Sequence, residues 1–162
     1  MSIKNFRRIL MDFYEEQYTA EQSKIAETII QMEKDALAKF YKGDTSDYQN
    51  LWSKDSFTYF DGNTFQRIDN YEDIYDFLMT RVEGKLSAKS WNFVSPRVQF
   101  GIDMAVLTYQ LHAETNYGES HYNVIEVYQI NKSNDWEVIH STWAAIRPFA
   151  KKTVEGEDDI II

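Results

Sequence analysis

Apolar positions along this chain change their period part-way. Up to Val82 they recur every three or four residues, and beyond Gly84 they alternate. The first regime predicts helices and the second half-buried strands. Phe6, Leu10, Phe13 and Tyr14 form a helical stripe across residues 3–17. Thr19 and Gln22 fit a capping box, with the threonine hydroxyl and the glutamine side chain each meeting the other's backbone N–H. A second helix follows, with Ile25, Ile29, Met32, Ala36 and Phe40 on one face, and Gly43 stops it. Asp44 caps a short third helix carrying Tyr48, Leu51 and Trp52. Residues 57–60 read as a strand that ends in an Asp61-Gly62 turn, with residues 65–68 as its expected partner. Asp69 or Asn70 then caps a helix with Tyr71, Ile74, Tyr75, Leu78 and Val82 inward. Four strand-like runs complete the pattern: SWNFVSPRVQF, IDMAVLTYQLHAET, HYNVIEVYQI and WEVIHSTWAAIRP. Pro96 predicts a bulge or bend in the first of them. Asn116-Tyr117-Gly118-Glu119 and Lys132-Ser133-Asn134-Asp135 predict hairpin turns. Helices first and an antiparallel meander afterwards argue an α+β fold.

The bulk numbers narrow the partners. The chain has 162 residues, a net charge of −9 and a pI near 4.8. That is one ordinary domain, and its charge repels nucleic-acid phosphates and anionic lipid. It has no cysteine, which excludes disulfides, thiol chemistry and a Cys-ligated metal. No apolar run approaches the length of a membrane span, and the N-terminus does not read as a signal peptide, so the cytoplasm is the expected compartment. Residues 1–18 are expected as an extra N-terminal helix, 19–150 as the domain, and 151–162 as a loose charged tail.

The stretch DALAKFYKGDTSDYQNLWSKDSFTYFDGNTFQRIDNYEDIYDFL resembles the first half of the association domain of calcium/calmodulin-dependent protein kinase type II. It shares a helix ending in Gly43-Asp44, then Tyr48 and Leu51, then Thr58, Phe60 and Asp61, with Gly62 where that family has proline. The ending Trp136-x-Val138-x-His140-Ser141-x-Trp143 is similar to a strand of that domain and of SnoaL-like proteins. Together these identify the chain as a member of the nuclear-transport-factor-two-like superfamily over residues 26 to 148. The resemblance implies a cone-shaped α+β barrel, a bent antiparallel sheet wrapped on N-terminal helices. It also implies a pocket inside the cone and oligomers built on the sheet's outer face. It does not imply one chemistry.

Directly opposed residues share a sheet face. With the two hairpins as predicted, Thr108 lies opposite Val127, Gln110 opposite Ile125, His112 opposite Asn123, and His121 opposite Glu114. Val127 lies opposite His140, and Ile125 opposite Thr142. One face then holds Val106, Thr108, Gln110, His112, Asn123, Ile125, Val127, Val138, His140 and Thr142. The other holds Leu107, Tyr109, Leu111, Val124, Glu126, Tyr128, Ile139, Ser141 and Trp143. The resemblance places the mixed face inside the cone, where a small-molecule pocket needs apolar walls with a few polar groups. The opposite assignment buries the Leu-Tyr-Trp face as the core and leaves Val106, Ile125, Val127 and Val138 as an apolar strip in water.

The candidate ligand-binding residues on the first assignment are Thr108, Gln110, His112, Asn123, His140 and Thr142, with Trp52 and Tyr59 at the pocket mouth. The Tyr109, Tyr128 and Trp143 face is then expected to pair two copies in a homodimer. His140 on an apolar wall suits a general base, although a lone histidine there is more often a satisfied core residue. Asp61 lies near where the resemblance places the acidic base of isomerases, yet an Asp-Gly turn also uses its aspartate as a cap. Three histidines without a close-spaced pair predict no metal site, and no motif predicts a cofactor. Two functions stay open. One is a small-molecule-binding SnoaL-like protein, with or without acid–base activity of the isomerase, dehydratase or hydrolase kind. The other is a non-catalytic homo-oligomerisation module standing alone without a kinase domain.

Overall fold

A computed structural model describes residues 18–146. The helix expected over residues 3–17 and the tail expected over 151–162 lie outside the described residues. Within them the order is α1 (Ala20–Phe40), α2 (Ser46–Leu51), β1 (Thr58–Asp61), α3 (Tyr71–Arg81), β2 (Ala88–Phe100), β3 (Met104–Thr115), β4 (Gly118–Ile130) and β5 (Trp136–Ala145). The strands form one bent, unclosed sheet in the order β1-β5-β4-β3-β2. All neighbours are antiparallel except β1, which runs parallel to β5.

Local chemistry sets the element ends. Thr19 and Gln22 close the capping box of α1. Gly43, at φ +77°, turns the chain after α1, where an added Cβ would lie 3.0 Å from the Leu86 carbonyl oxygen. Asp44 accepts from Ser46 N–H at the start of α2, and Asn70 caps α3 through Asp73 N–H. Residues 65–68 make no strand: Ile68 alone bridges Tyr59, exchanging two backbone hydrogen bonds of 2.9 and 3.0 Å. The bulge at Pro96 is present. The register of β2 on β3 shifts between Val94 and Arg97, and Ser95 takes φ 52°.

Two register details differ from the sequence expectation. In the β3–β4 hairpin Thr115 pairs with Gly118, so the loop residues are Asn116 and Tyr117. Thr115 Oγ1 accepts from Tyr117 N–H and donates to the Gly118 carbonyl, and Gly118 supports φ 109°. Asn116 is also held by Ser87 N–H and the Lys85 carbonyl. The turn is of the same length but begins one residue earlier, which moves every pair by two residues: Thr108 opposes Ile125, Gln110 opposes Asn123, and His112 opposes His121. Face membership survives, because a shift of two preserves parity. Between β4 and β5, Val127 pairs with His140 but Tyr128 with Val138. Ile139 is the extra residue of a bulge, and Val138 moves to the buried face.

The helices cover the face opposite to the one expected. Leu107, Tyr109, Leu111, Val124, Glu126, Tyr128, Ser141 and Trp143 are buried with Ile29, Glu33, Ala36 and Leu37 of α1. Tyr109, Tyr128 and Trp143 are 4, 0 and 5% exposed within a single copy, so they are core and cannot form the dimer face assigned to them. Full burial of side chains such as Ile29, Leu37 and Leu107 stabilises by about 1.5–3 kcal/mol each.

Two acids sit inside this core. Glu33 Oε1 accepts from the hydroxyls of Tyr109 at 2.6 Å and Tyr48 at 2.7 Å, and its Oε2 accepts from Tyr128 at 3.3 Å. Burial pushes its pKa up, and the three tyrosine hydroxyls pull against that rise. Glu126 is wholly buried, and its Oε1 accepts from Ser141 Oγ at 2.6 Å. Its Oε2 has no partner among the described residues. Burial, and then the Glu33 charge, hold the Glu126 pKa well above its ordinary 4.5. Folded chains therefore keep this proton at pH values where unfolded chains have lost it. The stability from Glu126 is complete below that ordinary value and is lost as pH rises toward the raised one. Glu126→Gln should flatten this decline, so that its melting temperature falls less than wild type between about pH 5 and about pH 8. Equal slopes in a thermal melt series would show Glu126 ionised in the fold.

Candidate functional site

The sheet bends around α1 without closing, and α3 lies across the opening. The space left between them is a cavity of about 510 Å³. Phe40 from the end of α1, Trp52 from the end of α2, Tyr59 from β1, Phe77 and Leu78 from α3, and Trp143 from β5 supply its apolar lining. Asp61, Asn63, Arg81, Lys85 and Glu119 supply charged and polar groups.

The aromatic rings hold one another in place. Trp52 stacks on Phe57 with centroids 4.7 Å apart and lies 5.8 Å from Tyr59. Tyr59 lies 5.9 Å from Phe77, and Phe40 lies 5.5 Å from Trp143. Tyr59 donates its hydroxyl to Asp61 Oδ2 at 2.9 Å. Burial and then the neighbouring carboxylate raise the Tyr59 pKa well above the usual phenol value, so it stays a donor. Asp61 Oδ1 accepts from the backbone N–H and the side-chain amide of Asn63, both at 2.9 Å. The aspartate thus caps its turn, as the Asp-Gly pattern predicts, while its side chain also borders the cavity.

Of the eight residues expected at a ligand site, Trp52 and Tyr59 line this cavity. Thr108, Gln110, His112, Asn123, His140 and Thr142 do share one sheet face, but it is the face turned away from the helices, and all six are half-buried or exposed. None of the six borders the cavity. Parity groups residues by face but does not say which face the helices cover. His140 meets its hydrogen-bonding needs on that outer face. Thr58 Oγ1 lies 2.7 Å from its Nδ1, and Thr142 Oγ1 lies 2.7 Å from its Nε2. Sequence reasoning missed Phe40, Phe77, Arg81, Lys85 and Trp143 as lining residues. A signal for Phe77 was present, since it sits beside Ile74 and Leu78 at helical spacing.

No protein-family model matches the sequence, and no curated protein matches it. Solved structures do. A candidate ketosteroid isomerase from Parabacteroides distasonis superposes with a TM-score of 0.68 at 25% identity, over 81% of this chain and 95% of that one. An NTF2-like superfamily protein from Salmonella enterica serovar Typhimurium gives 0.67 at 14% identity, over 84% and 99%. The protein has the NTF2-like fold. A CaMKII hub from S. rosetta shares this NTF2-like architecture, with a TM-score of 0.59 at 16% identity over 74% and 95% of the two chains.

Desolvation, then the charge of Arg67, holds the His140 pKa below its ordinary 6.5. The folded chain binds this proton less readily than the unfolded chain, so acidification below the ordinary value erodes stability through His140. A proton NMR titration should place the His140 midpoint under 6.5. A midpoint at or above that value would show the imidazole freely hydrated.

Proposed function

We propose that the protein binds a small organic molecule in the cavity between α1, α3 and the bent sheet, without acting on it by acid–base chemistry. The supporting observation is the lining itself: an aromatic floor of Trp52, Phe77 and Trp143 with polar groups confined to Tyr59, Asp61 and the Arg81–Lys85 side. A guest lays its carbon frame on the rings and turns an oxygen toward the polar groups. Among the described residues Arg81 has no hydrogen-bond or ion-pair partner, which favours a guest with an electronegative end. Binding rather than catalysis is the reading because three of the roughly four acceptor positions of the Asp61 carboxylate are taken within the chain, by Tyr59 and Asn63. A general base works best with its oxygens free for the substrate proton. The cytoplasm is the compartment this reading takes. Among the described residues no helix is long and apolar enough to cross a membrane.

An anilinonaphthalene sulfonate dye is a suitable probe, having a flat apolar frame and one anionic group. Phe77→Trp adds volume inside the cavity and should weaken dye binding by about tenfold, roughly 1.4 kcal/mol, with the fold unchanged by circular dichroism. Undiminished dye fluorescence in that variant would remove the cavity from the reading.

A second reading, homo-oligomerisation, is favoured by the outer sheet face. Phe60 and Ile125 are 46 and 41% exposed there, with Thr142 between them in register. Val106 and Val127 are half-buried beside them. Val106, Ile125 and Val127 belong to the apolar strip in water expected for the reversed assignment, whereas Val138 has turned into the core and Phe60 is an addition; a second copy would cover this strip. Light scattering should find an oligomer at micromolar concentration that Ile125→Glu converts to monomer. A wild-type monomer under those conditions would leave the strip without a homotypic role.

A further inference from the structure

The outer sheet face also brings together two histidines that the expected register kept apart. His112 and His121 are directly opposed across β3 and β4, and their Nδ1 atoms lie 2.8 Å apart. The rings sit with centroids 5.0 Å apart and planes inclined by 54°. Glu119, two residues before His121 on β4, places Oε2 3.7 Å from the His121 Nε2. We propose that His112 and His121 form a binding site for a copper(II) or nickel(II) ion, held by the two Nδ1 atoms, with Glu119 orienting the His121 ring from behind.

Proximity and ligand type set the metal class. Imidazole–metal bonds are roughly 2.0–2.1 Å, so two at a right angle hold their nitrogens roughly 2.9 Å apart, and two at a tetrahedral angle roughly 3.3 Å. The observed 2.8 Å is the length of the hydrogen bond joining the two rings, and it brings both nitrogens within reach of one ion; copper(II) and nickel(II) are chosen because imidazole donors bind them most strongly among the divalent first-row metals. The hydrogen bond now joining the rings leaves one Nδ1 protonated. Metal binding requires that ring to carry its proton on Nε2 instead, a change of tautomer with no net proton release from the neutral pair. At His121 that proton faces the Glu119 carboxylate, an ionic neighbour at 3.7 Å that would have to move closer to accept it as a carboxylate–histidine–metal relay requires. His112 is half-buried and His121 exposed, so both rings can turn onto one ion from the solvent side. Among the described residues no group of three or more His, Cys, Asp or Glu is placed to hold a metal. The site therefore has two protein ligands, and water completes the coordination. His140, whose ring nitrogens are both occupied by threonine hydroxyls, supplies an internal control.

The test is titration of copper(II) chloride into the full chain in a non-chelating buffer, followed by electron paramagnetic resonance. The expected result is one copper per chain with hyperfine splitting from two imidazole nitrogens. His112→Ala and His121→Ala should each weaken binding by at least about tenfold and abolish the two-nitrogen pattern, while His140→Ala leaves both unchanged. Circular dichroism confirms that each variant is folded, and His112→Gln replaces His112→Ala if the alanine variant is not. A wild-type spectrum with fewer than two nitrogens, or a loss under tenfold in either variant, overturns the proposal. These readouts do not depend on the cavity binding anything.

Discussion

The carboxylate of Glu33 ties the molecule together. It leaves α1 in the middle of the core and receives hydroxyls from α2, β3 and β4 through Tyr48, Tyr109 and Tyr128. Each phenol buries a large apolar ring and must also place its O–H, so one acceptor at the centre serves all three. Removing that acceptor would strand three buried donors, each costing about 1–3 kcal/mol. The helix is thereby fixed in rotation as well as in position. Ile29 and Leu37 follow Glu33 onto the same face, and the sheet bends over them.

That placement produces the opening. With α1 held against β3 and β4, its C-terminal end at Phe40 and the edge formed by β1 and β5 stand apart, and α3 bridges the gap with Phe77 and Leu78. The rings at the gap brace one another in tilted and stacked pairs rather than filling the space. A second buried polar chain leads to the same wall. Trp143 Nε1 donates to Ser141 Oγ, which donates to Glu126. The cavity wall is thus anchored by hydrogen bonds in the core rather than by contacts at the rim.

The outer face follows different physics. Its residues are half-wet, and its polar groups pair with one another across strands: Gln110 with Asn123, His112 with His121, and His140 with Thr58 and Thr142. Between them Phe60 and Ile125 remain exposed. Small-molecule binding and self-association therefore draw on opposite faces of one sheet, so the two readings do not compete for the same residues.

Much of this fold was legible from residue order. Period and caps located α1 and α3, including the Thr19–Gln22 box, and period located α2, whose N-cap is Thr45 rather than the expected Asp44. Alternation grouped Tyr109, Tyr128 and Trp143 on one face and Thr108, Gln110 and His140 on the other, and Pro96 marked its bulge. These are local properties, dictated by backbone geometry and the spacing of apolar side chains. Three matters belonged to the tertiary structure. Which face the helices cover depends on where the Glu33 carboxylate can satisfy three tyrosines, a contact spanning up to 95 residues. Whether Val138 points inward depends on a bulge at Ile139 that no proline or glycine announces. The His112–His121 pair depends on a hairpin turn that begins one residue earlier than its sequence implied, set by Thr115 and by Asn116 reaching back to the entry of β2. Each is a long-range or competing hydrogen-bond choice, and periodicity, which counts only near neighbours, carries no information about it.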